Sequence, residues 1–219
     1  MPVLGGFKMN AQTDLRLENN RALLRAAEEG HSDRVRRLIS GNLLDIDTKD
    51  SQGRSALLLA TWKNHVEIAQ MLMQAGADVN AQDKIYDSPY LVAGAEGRYE
   101  ILKLSLEYGA DLKSLNRYGG TALIPACEKG HPRNVELLLR AGVDVNHVNR
   151  LGWTCLLEIT ILGEDREPYW TIVKMLLEAN ADINITDKNG LHALDHARKR
   201  QLSTIEKILI EALENPHDQ

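Results

Sequence analysis

Asp50, Asp83, Asn116 and Asn149 stand 33 residues apart, and Asp187 follows Asn149 at 38. A fixed period constrains a chain strongly, because one short repeating unit cannot bury its apolar face alone and must stack on its neighbours. Stepping back 33 residues from Asp50 reaches Leu17. Six units are therefore expected, at 17–49, 50–82, 83–115, 116–148, 149–186 and 187–213, with an N-terminal extension over 1–16 and a polar tail over 214–219.

The columns inside the period predict what each unit contains. Gly30, Asn64, Gly97, Gly130 and Gly163 form one column, and Gly76, Gly109, Gly142 and Asn180 form another. Gly and Asn accept the left-handed backbone that ends many helices, so two such columns predict two helices per unit. Between them the apolar spacing is helical. Val35, Ile68, Ile101, Ile172 and Ile205 align. So do Leu38, Met71, Leu104, Leu137, Met175 and Ile208, and then Ile39, Leu72, Ser105, Leu138, Leu176 and Leu209. Positions i, i+3 and i+4 fall on one helix stripe. Ser55, Ser88, Thr121 and Thr154 stand where a cap should open the first helix. The runs Ala77-Asp78-Val79-Asn80, Ala110-Asp111-Leu112 and Ala181-Asp182-Ile183-Asn184 lead from the second helix into a projecting loop.

With Asp50-Ser51-Gln52-Gly53-Arg54-Ser55-Ala56-Leu57, Ala75-Gly76-Ala77-Asp78-Val79-Asn80 and the Gly130-His131 turn, the pattern resembles the ankyrin-repeat family from Leu17 to Leu213. The resemblance implies an all-α repeat solenoid: six ankyrin repeats of helix-turn-helix, each with a β-hairpin finger. The chain also resembles the small ankyrin-only proteins of bacteria. The polar first and last units, with Arg34, Arg36 and Arg37 at one end and Arg198, Lys199 and Arg200 at the other, are expected to cap the stack.

Several residues depart from the pattern. Pro125 near the start of a helix loses at most one backbone bond. Asn134 and Ser105 replace apolar residues in core columns, so Asn134 must find a partner or tilt outward. Tyr86 takes a glycine slot in the third finger, which should distort that hairpin. The five extra residues of unit five fall between Gly163 and Ile172, within Glu164-Asp165-Arg166-Glu167-Pro168-Tyr169-Trp170-Thr171. Loop length is cheap, so the insertion reads either as neutral drift or, through its Tyr-Trp pair, as functional.

Composition narrows the classes of function. The net charge of −5 argues against a general nucleic-acid binder. No apolar run approaches the roughly 18 residues of a membrane span, and the short N-terminal apolar stretch is too brief for a signal peptide. Cys127 and Cys155 are too few for a disulfide scaffold and read as free thiols in a reducing compartment, so the cytoplasm is the expected location. No cofactor is expected. His192 and His196 lie four apart with Asp195 between them, the one spacing here that could offer metal ligands. Ala193 stands where a metalloprotease helix needs glutamate, so a metal-dependent or enzymatic role is only an alternative. Neither cysteine has partners at zinc-finger spacing.

The resemblance implies that partners dock on the finger tips and on the exposed side of each first helix, a concave face. Its slots carry Arg54, Trp62, Lys84, Ile85, Arg117, Tyr118, Arg150, Leu151, Trp153 and Lys188. They also carry Ala95, Glu96, Glu128, Lys129, Ile161 and Leu162 on the helices. Trp170 lies outside the core columns too and joins the candidates through the insertion. Trp, Tyr and Arg dominate interface energies, which favours Trp62, Tyr118 and Trp153 as anchors with Arg54, Arg117 and Arg150 as polar orienters. The alternative is that the rings cover neighbouring fingers. Lys84, Arg117, Arg150 and Lys188 form a basic ladder that either steers an acidic partner or is simply solvated. The expected role is a monomeric scaffold or adaptor for an unidentified protein or peptide. Self-association through Tyr169, Trp170, Ile161 and Leu162 is a further alternative.

Overall fold

Two left-handed punctuation points per period cut the chain into short helices. The computed structural model describes residues 11–214, and among them twelve helices follow one another. They are α1 (Ala11–Glu29), α2 (Ser32–Ser40), α3 (Ala56–Trp62), α4 (Val66–Gln74), α5 (Pro89–Ala95), α6 (Tyr99–Glu107), α7 (Leu123–Glu128), α8 (Pro132–Ala141), α9 (Cys155–Leu162), α10 (Tyr169–Glu178), α11 (Ala193–Lys199) and α12 (Ser203–Glu214). The tail from 215 onward and most of the expected N-terminal extension lie outside the described residues, and α1 already runs across Leu17.

Local chemistry starts the odd-numbered helices. Ser55, Ser88 and Thr154 are extended and accept the amides of Leu58, Leu91 and Leu157, satisfying a donor that the first turn leaves free. Thr121 differs: its hydroxyl is buried without a partner, and α7 begins only at Leu123. Pro125 explains this. Leu59, Val92 and Glu158 donate their amides to the carbonyl of the cap residue four positions earlier. Pro125 holds the same place after Thr121 but has no N–H, and its ring crowds that carbonyl, loosening the first turn.

Each odd-numbered helix packs on the next odd one, from α1 to α11, and each even one on the next even one, from α2 to α12. Val35, Ile68, Ile101, Ile172 and Ile205 are fully or nearly fully buried at these joints, as are Leu72, Leu138, Leu176 and Leu209. The column of Leu38, Met71, Leu104, Leu137, Met175 and Ile208 is only half-buried, at the rim of the stripe. Ala69, Leu102, Val135 and Val173 supply a buried column that the spacing did not single out. Asn134 is buried and donates to the carbonyls of Ala93 (2.9 Å) and Gly94 (3.2 Å). Ser105 bonds back to Ile101 at 2.8 Å.

Three expectations are corrected. Among the described residues the fingers form no named strands, and the single bridge is Lys49 to Ser55. Each finger is built instead on an acceptor side chain: Asp50, Asp83, Asn116, Asn149 and Asp187 each take the amides two and four residues ahead. For this reason Tyr86 does not distort its finger. It adopts φ 66, and its amide bonds Asp83 O at 3.2 Å as glycine amides do in the sister fingers. Cys127 and Cys155 are a disulfide joining α7 to α9, not free thiols; both are fully buried and their Cα atoms are 5.8 Å apart. The helix stacking that aligns the two first helices brings their side chains together, and the thiol argument for a reducing compartment falls with it.

The fingers are also tied to each other, unevenly. Lys84 N donates to Gln52 O (3.0 Å) and Arg150 N to Tyr118 O (2.9 Å). Beneath them a relay runs from Asp78 N to Asp47 (2.9 Å), from Asp111 N to Asn80 (2.8 Å) and from Asp182 N to Asn146 (2.8 Å). The relay skips one joint, because Lys113 stands where an acceptor would receive Asp144. That joint lies between the fourth and fifth fingers, which the Arg150 tie still holds, whereas the third and fourth keep the relay of Asp111 and, in place of a backbone tie, use side chains, Gln82 to Leu115 O (2.8 Å) and Arg117 to Asp87 (3.7 Å).

The insertion takes over the turn between α9 and α10. At two other turns a histidine ring covers a left-handed glycine: His65 lies on Gly30 and bonds Glu28 O, and His131 lies on Gly97. Here Pro168 and Tyr169 lie on Gly130, and the Tyr169 hydroxyl donates to Glu128 O. Gly163 is not left-handed but extended (φ −68), since a longer connection leaves no tight turn to close. Glycine is needed there for another reason: a Cβ would meet Ile159 O at 2.6 Å.

Candidate functional site

The first helices turn the side chains before their C-termini toward the fingers, and where α3, α5, α7 and α9 run side by side these make one cleft of about 360 Å³. Its walls carry Trp62 from α3, Leu91, Val92 and Ala95 from α5 with Glu96, Ile124, Pro125 and Glu128 from α7 with Lys129, and Glu158 and Leu162 from α9. The fingers add Asp87, Arg117, Tyr118, Leu151 and Trp153. Trp62 and Tyr118 are exposed, at 37% and 54%, whereas Trp153 is half-buried against the core.

The structure thus gathers Trp62, Arg117, Tyr118, Leu151 and Trp153 and leaves the other candidates elsewhere. Arg54 is held by Asp50, Nε to Oδ2 at 2.7 Å. Lys84 and Ile85 are exposed on the third finger, outside the cleft. Arg150 reaches back to Arg117 O (2.9 Å) and Lys188 to Arg150 O (2.6 Å), so these rungs of the basic ladder stitch successive fingers together. Arg117 packs over the Tyr118 ring at 5.2 Å. Trp170 lies at the start of α10, half-buried, its indole N–H bonded to Asp165 at 2.9 Å. Asp165 also accepts from Ser203, Thr204 N and Ile205 N, fastening the start of α12. Burial alone would raise this carboxyl; the donors of Thr204, Trp170 and Ile205 outweigh it and hold it below its usual range.

The histidine pair is occupied structurally. His192 and Asp195 form a capping box at α11, and His196 bonds the buried Asp187 at 3.0 Å. Among the described residues no group of three His, Cys, Asp or Glu side chains could hold a metal ion. Tyr169, offered for self-association, is buried. No helix among the described residues is long and apolar enough to cross a membrane.

Sequence reasoning missed Glu158. It is only 6% exposed in the cleft wall; a side-chain hydrogen bond from Asn149 serves it, and Oε2 has no partner. Desolvation, with the charge of Glu128 adding to it and the Asn149 bond opposing it, pushes its carboxyl up to about 7. The signal was present: Glu158 is the only charge in Cys155-Leu156-Leu157-Glu158-Ile159-Thr160-Ile161-Leu162.

Comparison with known proteins agrees with this architecture. A family model described as ankyrin repeats (3 copies) matches residues 3–83 and 90–187. An ankyrin repeat domain from Acinetobacter baumannii AYE is 52% identical, with 87% of this chain and 96% of that one covered and a TM-score of 0.83. A second solved ankyrin repeat protein is 44% identical over 87% of this chain and 97% of its own, with a TM-score of 0.84. No curated protein matches the chain.

Proposed function

The chain belongs to the ankyrin-repeat family, and we propose that it is a scaffold or adaptor whose cleft across α3, α5, α7 and α9 receives a protein or peptide partner. Ankyrin repeats are generally protein-interaction modules, which supports the class, and the cleft is the feature that favours this place. The observation that carries the reading is the pair of exposed rings, Trp62 and Tyr118, flanking a cleft beside Trp153. Rings of this kind gain most when a partner excludes water from them. An interface of standard size, about 1,600 Å² in total, would cover several adjacent units.

Trp62→Ala and Tyr118→Ala remove exposed surface and should leave the melting temperature within about 4 °C of wild type. Both should abolish capture of the partner from the native lysate. Substantial unfolding would show the rings to be structural, and undiminished capture would move the interface elsewhere.

A further inference from the structure

A carboxylate is an expensive group to bury, and one with an oxygen left without a donor is more so. Glu158 meets both conditions in the wall of an open cleft. Among the described residues no donor reaches that oxygen. Of the four carboxylates lining the cleft, Asp87 pairs with Arg117 and Glu96 with Lys129, which uses both lining cations. Among the described residues Glu128 and Glu158 are left with no basic partner, so the cleft keeps two acidic groups that its own residues do not balance.

We propose that the partner inserts a basic side chain, arginine or lysine, into this cleft, its cation facing Glu128 and the buried carboxyl of Glu158 and its aliphatic stem lying against Tyr118 and Trp153. The inference rests on the scaffold reading and names the chemistry of what docks. A neutral donor would satisfy the hydrogen bond but leave the charge buried. An acidic or purely apolar segment would worsen both. A cation with a long apolar stem answers all three features of the wall: the orphan oxygen, the unbalanced charge and the rings, over which a cation is itself attracted.

The test is panning of a random peptide library displayed on phage against the full chain, its Glu158→Gln variant and its Trp62→Ala variant. Glu158→Gln keeps the shape and removes the charge that burial disfavours, so it should fold. Wild type should select apolar peptides with one arginine or lysine at a fixed position. A selected peptide should bind Glu158→Gln about 10–100-fold more weakly, as loss of a charged hydrogen bond implies. Replacing the arginine by citrulline, or the lysine by norleucine, should weaken binding to wild type and change little on Glu158→Gln. Peptides that need Trp62 but carry no basic residue, or bind Glu158→Gln equally, would overturn the inference and leave the scaffold reading standing. Failure to select any peptide that depends on Trp62 would overturn both.

Discussion

The hydroxyl of Tyr169 donates to the carbonyl of Glu128 at 3.0 Å, the same service that His65 renders to Glu28 at the first joint of the stack. An inserted segment has thus replaced a histidine clasp with a tyrosine reaching over Gly130. Tyr169→Phe keeps the ring on the glycine and removes only the donor. The expected loss is about 1 kcal/mol, read as a fall of about 2–4 °C in melting temperature. An unchanged melting temperature would mean that solvent replaces the bond at no cost.

Asp165 is the insertion's second contribution, because it holds Trp170 and the first amides of α12 together. Asp165→Ala should cost about 1–2 kcal/mol, in the range of a lost helix cap. Amide hydrogen exchange should quicken at Thr204 and Ile205 while α3 stays protected. Uniform loosening of the whole chain would instead show that α12 and the rest unfold as one unit.

Glu158 makes stability depend on pH in a direction unusual for a carboxylate. Its folded value is about 7 against 4.5 for the unperturbed group. Between those values the folded chain holds a proton that the unfolded chain has released, so stability falls as pH rises through that window. Below it the group costs nothing. Glu158→Gln should therefore be more stable than wild type at about pH 8 and equal to it at about pH 4. Parallel melting curves across that range would show that the carboxyl titrates normally.

Tyr86 sits in the left-handed region with its ring 56% exposed, so the backbone strain is not repaid by packing. Tyr86→Gly relieves that strain, worth about 1–2 kcal/mol, against the added flexibility of glycine at about 0.5–1 kcal/mol. A net gain on the order of 0.5 kcal/mol should appear as a higher denaturant midpoint with an unchanged slope. A loss would reveal a contact made by the ring.

Legibility in the sequence followed the physics of repetition. The stack was readable because each buried position recurs, so Ile68, Ile101 and Ile172 vouch for one another. Cap residues were readable because Ser and Thr there have one main use, and Thr121 failed only because Pro125, four residues on, cannot donate. Where a contact joins different units, the period carries no trace of it. The Cys127–Cys155 bond, the anchoring of Trp170 by Asp165 and the return of Arg150 to the preceding finger all depend on distances across the stack. The cleft was half legible: its rings stood out by type, whereas Glu158 was passed over because a single charge in an apolar helix was not weighed as a site.

Each joint of the fourth finger lacks one of the two ties: toward the third it has the Asp111–Asn80 relay but no backbone tie, and toward the fifth it has the Arg150–Tyr118 tie but no relay. The cleft straddles both joints. A finger held in this way can rock like a jaw, so that the gap between Trp62 and Trp153 widens or narrows while the neighbouring units keep their own shape. Millisecond exchange broadening in NMR should then concentrate at residues 113–120, and Lys113→Asn, by offering Asp144 its missing acceptor, should quiet it. Grip on a guest would come from flexing of that one finger, with the helices themselves left undisturbed.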